Sequence, residues 1–197
     1  MKLALFLTLL RLVLGPIFIV IYLYYQNLNI SLTSLPYFLL SILIVCELTD
    51  ILDGYVARKS GEVTELGKIL DPMSDSIVRN SMFITFTQGL VKLPVLLVLL
   101  FIYRDSMIST LRTICALKGT TLSARASGKL KAVLQAIAIF LIVILMIPYS
   151  LNMISLESLQ KISYYAVGLV AFYSVGSGIE YLLANKQAIK KSWVKSK

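Results

Sequence analysis

The chain has 197 residues, of which 58% are hydrophobic and 15% charged, with a mean hydropathy of +0.84 and a net charge of +9. A water-soluble domain of this size needs more polar surface to cover its core, so the composition points to immersion in a membrane. The basic residues form no single stripe, which argues against nucleic acid as a partner, and the absence of histidine excludes a histidine-based zinc site or a histidine general base.

In chain order, apolar runs separated by polar breaks predict six membrane-spanning helices over residues 12–26, 36–58, 67–88, 93–117, 129–149 and 160–184. Each is long enough to cross ~30 Å of hydrocarbon at about 1.5 Å per residue. Arg11 interrupts the first apolar run, so residues 1–11 read as a short interfacial helix that precedes the first span. The whole chain, 1–197, reads as a single all-α membrane domain ending in a basic tail, 185–197, suited to anionic headgroups. Cys46 and Cys115 fall in apolar stretches, where small buried packing residues are expected rather than a disulfide.

Loop charge sets the expected orientation. Near the loops that follow the odd-numbered spans only Lys92 and Lys161 are basic. The other side collects Lys2, Arg11, Arg58, Lys59, Lys68, Lys118, Arg125, Lys129, Lys131 and the tail lysines. Both termini are therefore expected in the cytoplasm.

Only ten acidic residues occur, and Asp50, Asp53, Asp71 and Asp75 fall where the second span ends and the third begins. Ionisable groups at such depth are costly and usually functional. At about 100° per residue, Asp53 lies roughly 60° to one side of Asp50 and Gly54 about 40° to the other, with Ala57 between them. Asp71 and Asp75 are one turn apart, and Gly67 lies one turn before Asp71. The connection is short, so the two helices can run antiparallel and bring the four carboxylates together. Four carboxylates cannot stay ionised together without cations. All-oxygen donors suit hard ions, so two divalent cations, Mg²⁺ or Mn²⁺, are expected for phosphoryl chemistry. Two other readings stand beside this one. The aspartates could pair with Arg58, Lys68 and Arg79 to hold helices together, or line the pathway of a cation-coupled transporter.

The spacing is more specific than the acid count. Asp50-x-x-Asp53-Gly54-x-x-Ala57-Arg58, eight residues, then Gly67-x-x-x-Asp71-x-x-x-Asp75 resembles the signature of the CDP-alcohol phosphatidyltransferase family at every defined position. The resemblance implies six transmembrane helices, a homodimer and a site open to the cytoplasm of a bacterial inner membrane. It implies that Asp50, Asp53 and Asp71 hold the metal pair and that Asp75 is both general base and metal ligand. Gly54 and Ala57 would admit the cytidine nucleotide of a CDP-diacylglycerol, Arg58 would contact its diphosphate, and Thr64 and Gly67 would border it.

Four further stretches resemble the phosphatidylglycerophosphate synthase branch of that family, whose acceptor is glycerol 3-phosphate. They are Leu7–Leu12 followed by Pro16, Leu70–Asp75, Tyr103–Asp105 with Leu111-Arg112, and Gly128–Gln135. The chain departs from the branch at Ala4-Leu5, where Pro-Asn is usual, at Ser76, where lysine is common, and at Ala132, where threonine is. Arg104 and Arg112 interrupt an apolar span eight residues apart, nearly on one face. With Lys129 and Lys131 they suit a dianionic phosphate, although Arg104 could instead pair with Asp105, and the lysines could be simple membrane anchors. Glu47, one turn before Asp50, is placed to orient a ligand or contact the acceptor. Other acceptors with the same chemistry are phosphatidylglycerol, as in a cardiolipin synthase, and inositol phosphate.

Overall fold

In a computed structural model, described for residues 2–60, 65–117 and 125–193 (side chains for 6–52, 73–115, 125–187 and 189–190), the chain forms six α-helices and, among those residues, no strand. They are α1 (Lys2–Tyr24), α2 (Leu35–Ser60), α3 (Glu65–Thr85), α4 (Val95–Leu117), α5 (Ala126–Ser150) and α6 (Leu156–Trp193). α1 packs on α2 and α3, α6 packs on α4 and α5, and α5 joins the two groups through α2 and α3. Among the described residues, four helices carry stretches long and apolar enough to cross a membrane: Phe6–Tyr24, Leu35–Leu52, Ala126–Ser150 and Leu156–Gln187. Charge sets α3 and α4 apart. α3 carries Glu65, Lys68, Asp71, Asp75 and Arg79, and α4 carries Arg104, Asp105 and Arg112.

The pattern of α1 shows how side chains sort. Phe6, Leu9, Val13, Ile17, Val20 and Tyr24 are exposed at three- and four-residue intervals, an apolar face suited to lipid. Thr8, Arg11, Gly15, Phe18 and Tyr22 form the opposite, buried face. α1 runs without a break from Lys2 through the stretch expected as an interfacial lead-in, residues 1–11, and Arg11 turns inward to acidic partners. The basic tail is likewise continuous with the last helix as far as Trp193. Both cysteines are buried and free, as expected.

At the end of the bundle away from the termini, aromatic packing and polar pins fix the short connections. Phe86 meets Phe18 and Tyr22 edge to face, at 5.8 and 5.4 Å between ring centroids. The Tyr22 hydroxyl donates to the Gln88 carbonyl and accepts from the backbone N–H groups of Leu90 and Val91, each at 3.1 Å. Gln160 Nε2 donates to the Leu90 carbonyl at 2.8 Å, which ties the start of α6 to the same loop. Ser155 Oγ accepts from Ser158 N at 3.1 Å and caps α6. Gly89 makes this loop possible: its φ is +65°, and a Cβ there would stand 2.9 Å from the Tyr22 ring. Gly89→Ala is expected to cost about 2 kcal/mol, from left-handed strain plus overpacking. Unfolding of the detergent-solubilised protein measures it, and an unchanged midpoint would remove the loop as a pinning point.

Candidate functional site

The charged residues of the core gather at the other end of the bundle, toward the termini. α1 brings Arg11, α2 brings Asp50 and α3 brings Asp75. Arg11 is 3% exposed, and its Nη1 donates to Asp75 Oδ1 at 2.8 Å and to Asp50 Oδ1. One guanidinium nitrogen thus links a carboxylate of α2 to one of α3. Arg79, one turn after Asp75, reaches its other oxygen at 3.4 Å. The two acids are partly open, at 36% and 24% exposure for Asp50 and Asp75, so the cluster is solvated on one side and closed by Arg11 on the other.

That open side is a groove of about 620 Å³ between α2, α3 and α5. Its polar end is lined by Glu47, Asp50, Asp75, Arg79 and Lys129. Its apolar wall comes from α5, through Val133, Ile137, Phe140 and Ile144. A polar head joined to an apolar trough suits a molecule with a charged headgroup and a hydrocarbon tail. Glu47, one turn before Asp50 on α2, lines the same end of the groove.

A second polar cluster lies behind Lys129. Lys131 Nζ donates to both oxygens of Asp105, at 2.8 and 2.7 Å, and Arg104 Nη1 donates to Asp105 Oδ1 at 3.1 Å. Arg104 continues to Ser177 Oγ of α6 at 3.2 Å. It lies against Gly178, where a Cβ would come within 3.1 Å of its Cγ, so a glycine there lets the arginine cross between α4 and α6. Arg112 donates through Nε to the Tyr181 hydroxyl at 3.2 Å, and its guanidinium carbon lies 5.4 Å from that ring's centroid.

Of the four acids singled out in the sequence, Asp50 and Asp75 are brought together. Asp53 and Asp71 lie on α2 and α3, but their side chains lie outside the described ones, as do those of Gly54, Ala57, Arg58 and Gly67; Thr64 lies wholly outside the described residues. Of the four basic residues expected around a phosphate, Lys129 faces the groove, Lys131 and Arg104 are engaged by Asp105, and Arg112 is engaged by Tyr181. Arg11 was read as a charge on the cytoplasmic side of the membrane, and its ion pairs are what that reading missed. A local signal did exist: residues 8, 11, 15, 18 and 22 keep one helical register, so Arg11 shares a face with the buried aromatics.

The pattern of the CDP-alcohol phosphatidyltransferase family matches residues 1–175. A relative from Bacillus subtilis (strain 168) named CDP-diacylglycerol--glycerol-3-phosphate 3-phosphatidyltransferase is 32% identical over 191 residues, 94% of this chain and 95% of its own length. Proteins of the same name from Treponema pallidum (strain Nichols) and Rickettsia felis (strain ATCC VR-1525 / URRWXCal2) are 30% and 28% identical. Those matches cover 87% and 92% of this chain, and 81% and 94% of the relatives. With its signature aspartates on α2 and α3, this chain belongs to the CDP-alcohol phosphatidyltransferase family.

Proposed function

We propose that the chain transfers a phosphatidyl group from CDP-diacylglycerol to glycerol 3-phosphate, giving phosphatidylglycerophosphate and CMP. The observation that carries this is the meeting of Asp50 and Asp75 at the polar head of a groove with an apolar wall, in a phosphatidyltransferase whose relatives share one acceptor in their names.

The donor set fits divalent cations. Oxygens of two carboxylates from different helices already converge on one cationic nitrogen, and a hard cation suits the same oxygens. Asp50, Asp53, Asp71 and Asp75 would hold two such ions, Mg²⁺ or Mn²⁺. When bound, these would neutralise the donor's diphosphate and stabilise the charge that develops on the departing CMP.

The chain's own groups do the rest. Arg11 holds the α2 and α3 carboxylates at a fixed separation. By the family resemblance, Gly54, Ala57 and Gly67 would leave room for the nucleotide, Arg58 would contact its diphosphate, and Thr64 would border it. The acyl chains lie along the apolar wall of α5. Lys129 and Arg79 meet the acceptor's phosphate at the polar rim, with Lys131 and Arg104 behind them as a second layer of positive charge. Asp75 accepts the proton of the acceptor's primary hydroxyl as its oxygen bonds to the lipid-side phosphorus. The bond from that phosphorus to the bridging oxygen breaks, and CMP leaves with that oxygen.

In the same reading all six helices span the bilayer, α3 and α4 turning their charges inward to the site. The distribution of basic residues supports cytoplasmic termini and a cytoplasmic site. The chain works as a homodimer. Labelled glycerol 3-phosphate, given with CDP-diacylglycerol and Mg²⁺, is expected to enter the lipid fraction and to stop doing so when a chelator is added. Absence of a labelled lipid would overturn the acceptor assignment.

A further inference from the structure

The buried charges between α3, α4, α5 and α6 carry an inference that rests on the reading above and goes beyond it. Asp105 stands near the middle of α4 and is 9% exposed, yet donors reach it from three helices. Lys131 of α5 supplies two hydrogen bonds, Arg104 one, and Ser76 Oγ of α3 one at 3.0 Å, with Asn80 Nδ2 at 3.5 Å. Through Arg104 and Ser177 the network reaches α6 as well. One carboxylate therefore ties four helices together.

Where its partners sit makes this more than a helix pin. Ser76 directly follows Asp75, so anchoring Ser76 fixes the rotation of the α3 turn that presents Asp75 to the groove. Lys131 lies two residues after Lys129, so anchoring it fixes the first turns of α5, which present Lys129 to the same groove. Asp105 itself lines neither the groove nor the smaller cavity around Arg11. The cations around it also outnumber it, so the network leaves positive charge beside the groove instead of cancelling it.

We propose that Asp105 is a positioning residue for the transfer. Through Ser76 and Lys131 its carboxylate sets the distance and orientation between Asp75, which takes the acceptor's proton, and Lys129, which meets the acceptor's phosphate. Removing it spoils acceptor alignment while leaving the donor's seat in place.

The test uses the full-length protein in detergent–lipid micelles and compares wild type with Asp105→Asn, Asp105→Glu and Ser76→Ala. KM and kcat are measured separately for each substrate, with thermal unfolding alongside. Asp105→Asn is expected to lower kcat/KM for glycerol 3-phosphate about a hundredfold, the scale of a misplacement near 1 Å, while KM for CDP-diacylglycerol stays within about threefold. Asp105→Glu is expected to recover a large part of that loss. Should Asp105→Asn fail to fold, Ser76→Ala decides, because it removes two hydrogen bonds, from Ser76 Oγ to Asp105 and from Asn80 Nδ2 to Ser76 Oγ at 3.3 Å, without stranding a buried charge. It is expected to lower kcat about fivefold at an unchanged melting midpoint, a small share of the misalignment effect. Unaltered kinetics in the folded variants would overturn the inference, and so would losses that fall equally on both substrates and follow the melting midpoint. If wild type turns over no acceptor at all, both readings fall. If wild type is active and the variants match it, this inference alone falls.

Discussion

Replacing Asp75 by asparagine is expected to lower kcat by about a thousandfold, the middle of the range for loss of a general base. Asparagine keeps the size of the side chain and can still accept from Arg11 through its carbonyl oxygen, while its amide nitrogen, a donor only, gives up the longer contact with Arg79. With Mg²⁺ in excess, so that the cation sites stay filled, binding of CDP-diacylglycerol is expected to change by less than about threefold, since the lost proton acceptor acts in the transition state. The roles of Asp75 as base and as ligand can be told apart. If the loss came from weakened cation binding, raising Mg²⁺ would restore the rate. A missing base leaves kcat low at every Mg²⁺ concentration, which is the result expected here. Retained turnover in Asp75→Asn would remove it as the base.

Arg11→Ala carries the second large effect. The guanidinium is buried and joins α1 to both acid-bearing helices, so its removal takes the counter-charge from Asp50 and leaves Asp75 with Arg79 alone. Breaking a buried ion pair from one side costs about 3–5 kcal/mol, and the partial exposure of the two acids puts this case toward the low end. The expected result is a melting midpoint lower by several degrees in the chelated protein, with much of the loss recovered on adding Mg²⁺. Arg11→Lys is expected to lie between the two, because an ammonium restores the charge but is more strongly hydrated and lacks the fixed planar geometry of the guanidinium. A chelated Arg11→Ala protein as stable as wild type would show that the acids need no such counter-charge.

The contrast between these two residues shows what the sequence makes legible. Asp50 and Asp75 could be matched from spacing alone, because helical periodicity places each on a face and a short connection brings the faces together. The ends of α2, α4 and α5 were readable to within a few residues from their apolar runs. Arg11 was not readable in the same way. Its partners lie 39 and 64 residues away, and although its register with Phe18 and Tyr22 puts it on the buried face, that register does not name the carboxylates it meets. Without partners such a charge ends a membrane helix; with them it belongs to the core, and α1 continues through it. Lys131 gives the same lesson. Two residues from Lys129, it looks like a second headgroup contact, but the α-helix turns it about 200° away and into the protein, onto Asp105. Ser76 looked like the loss of a lysine from the branch pattern. Its hydroxyl instead holds the carboxylate that Lys131 shares.

The most direct test of the central claim is CMP release from CDP-diacylglycerol by the purified protein, measured across a panel of acceptors: glycerol 3-phosphate, phosphatidylglycerol and inositol phosphate. The account predicts CMP in step with new lipid for glycerol 3-phosphate alone, with neither product formed by Asp75→Asn at an appreciable rate. CMP release driven by another acceptor would contradict the assignment of the phosphate-binding rim. Cation flux through the protein with no CMP released would contradict the reading of the acid cluster as the site of phosphatidyl transfer.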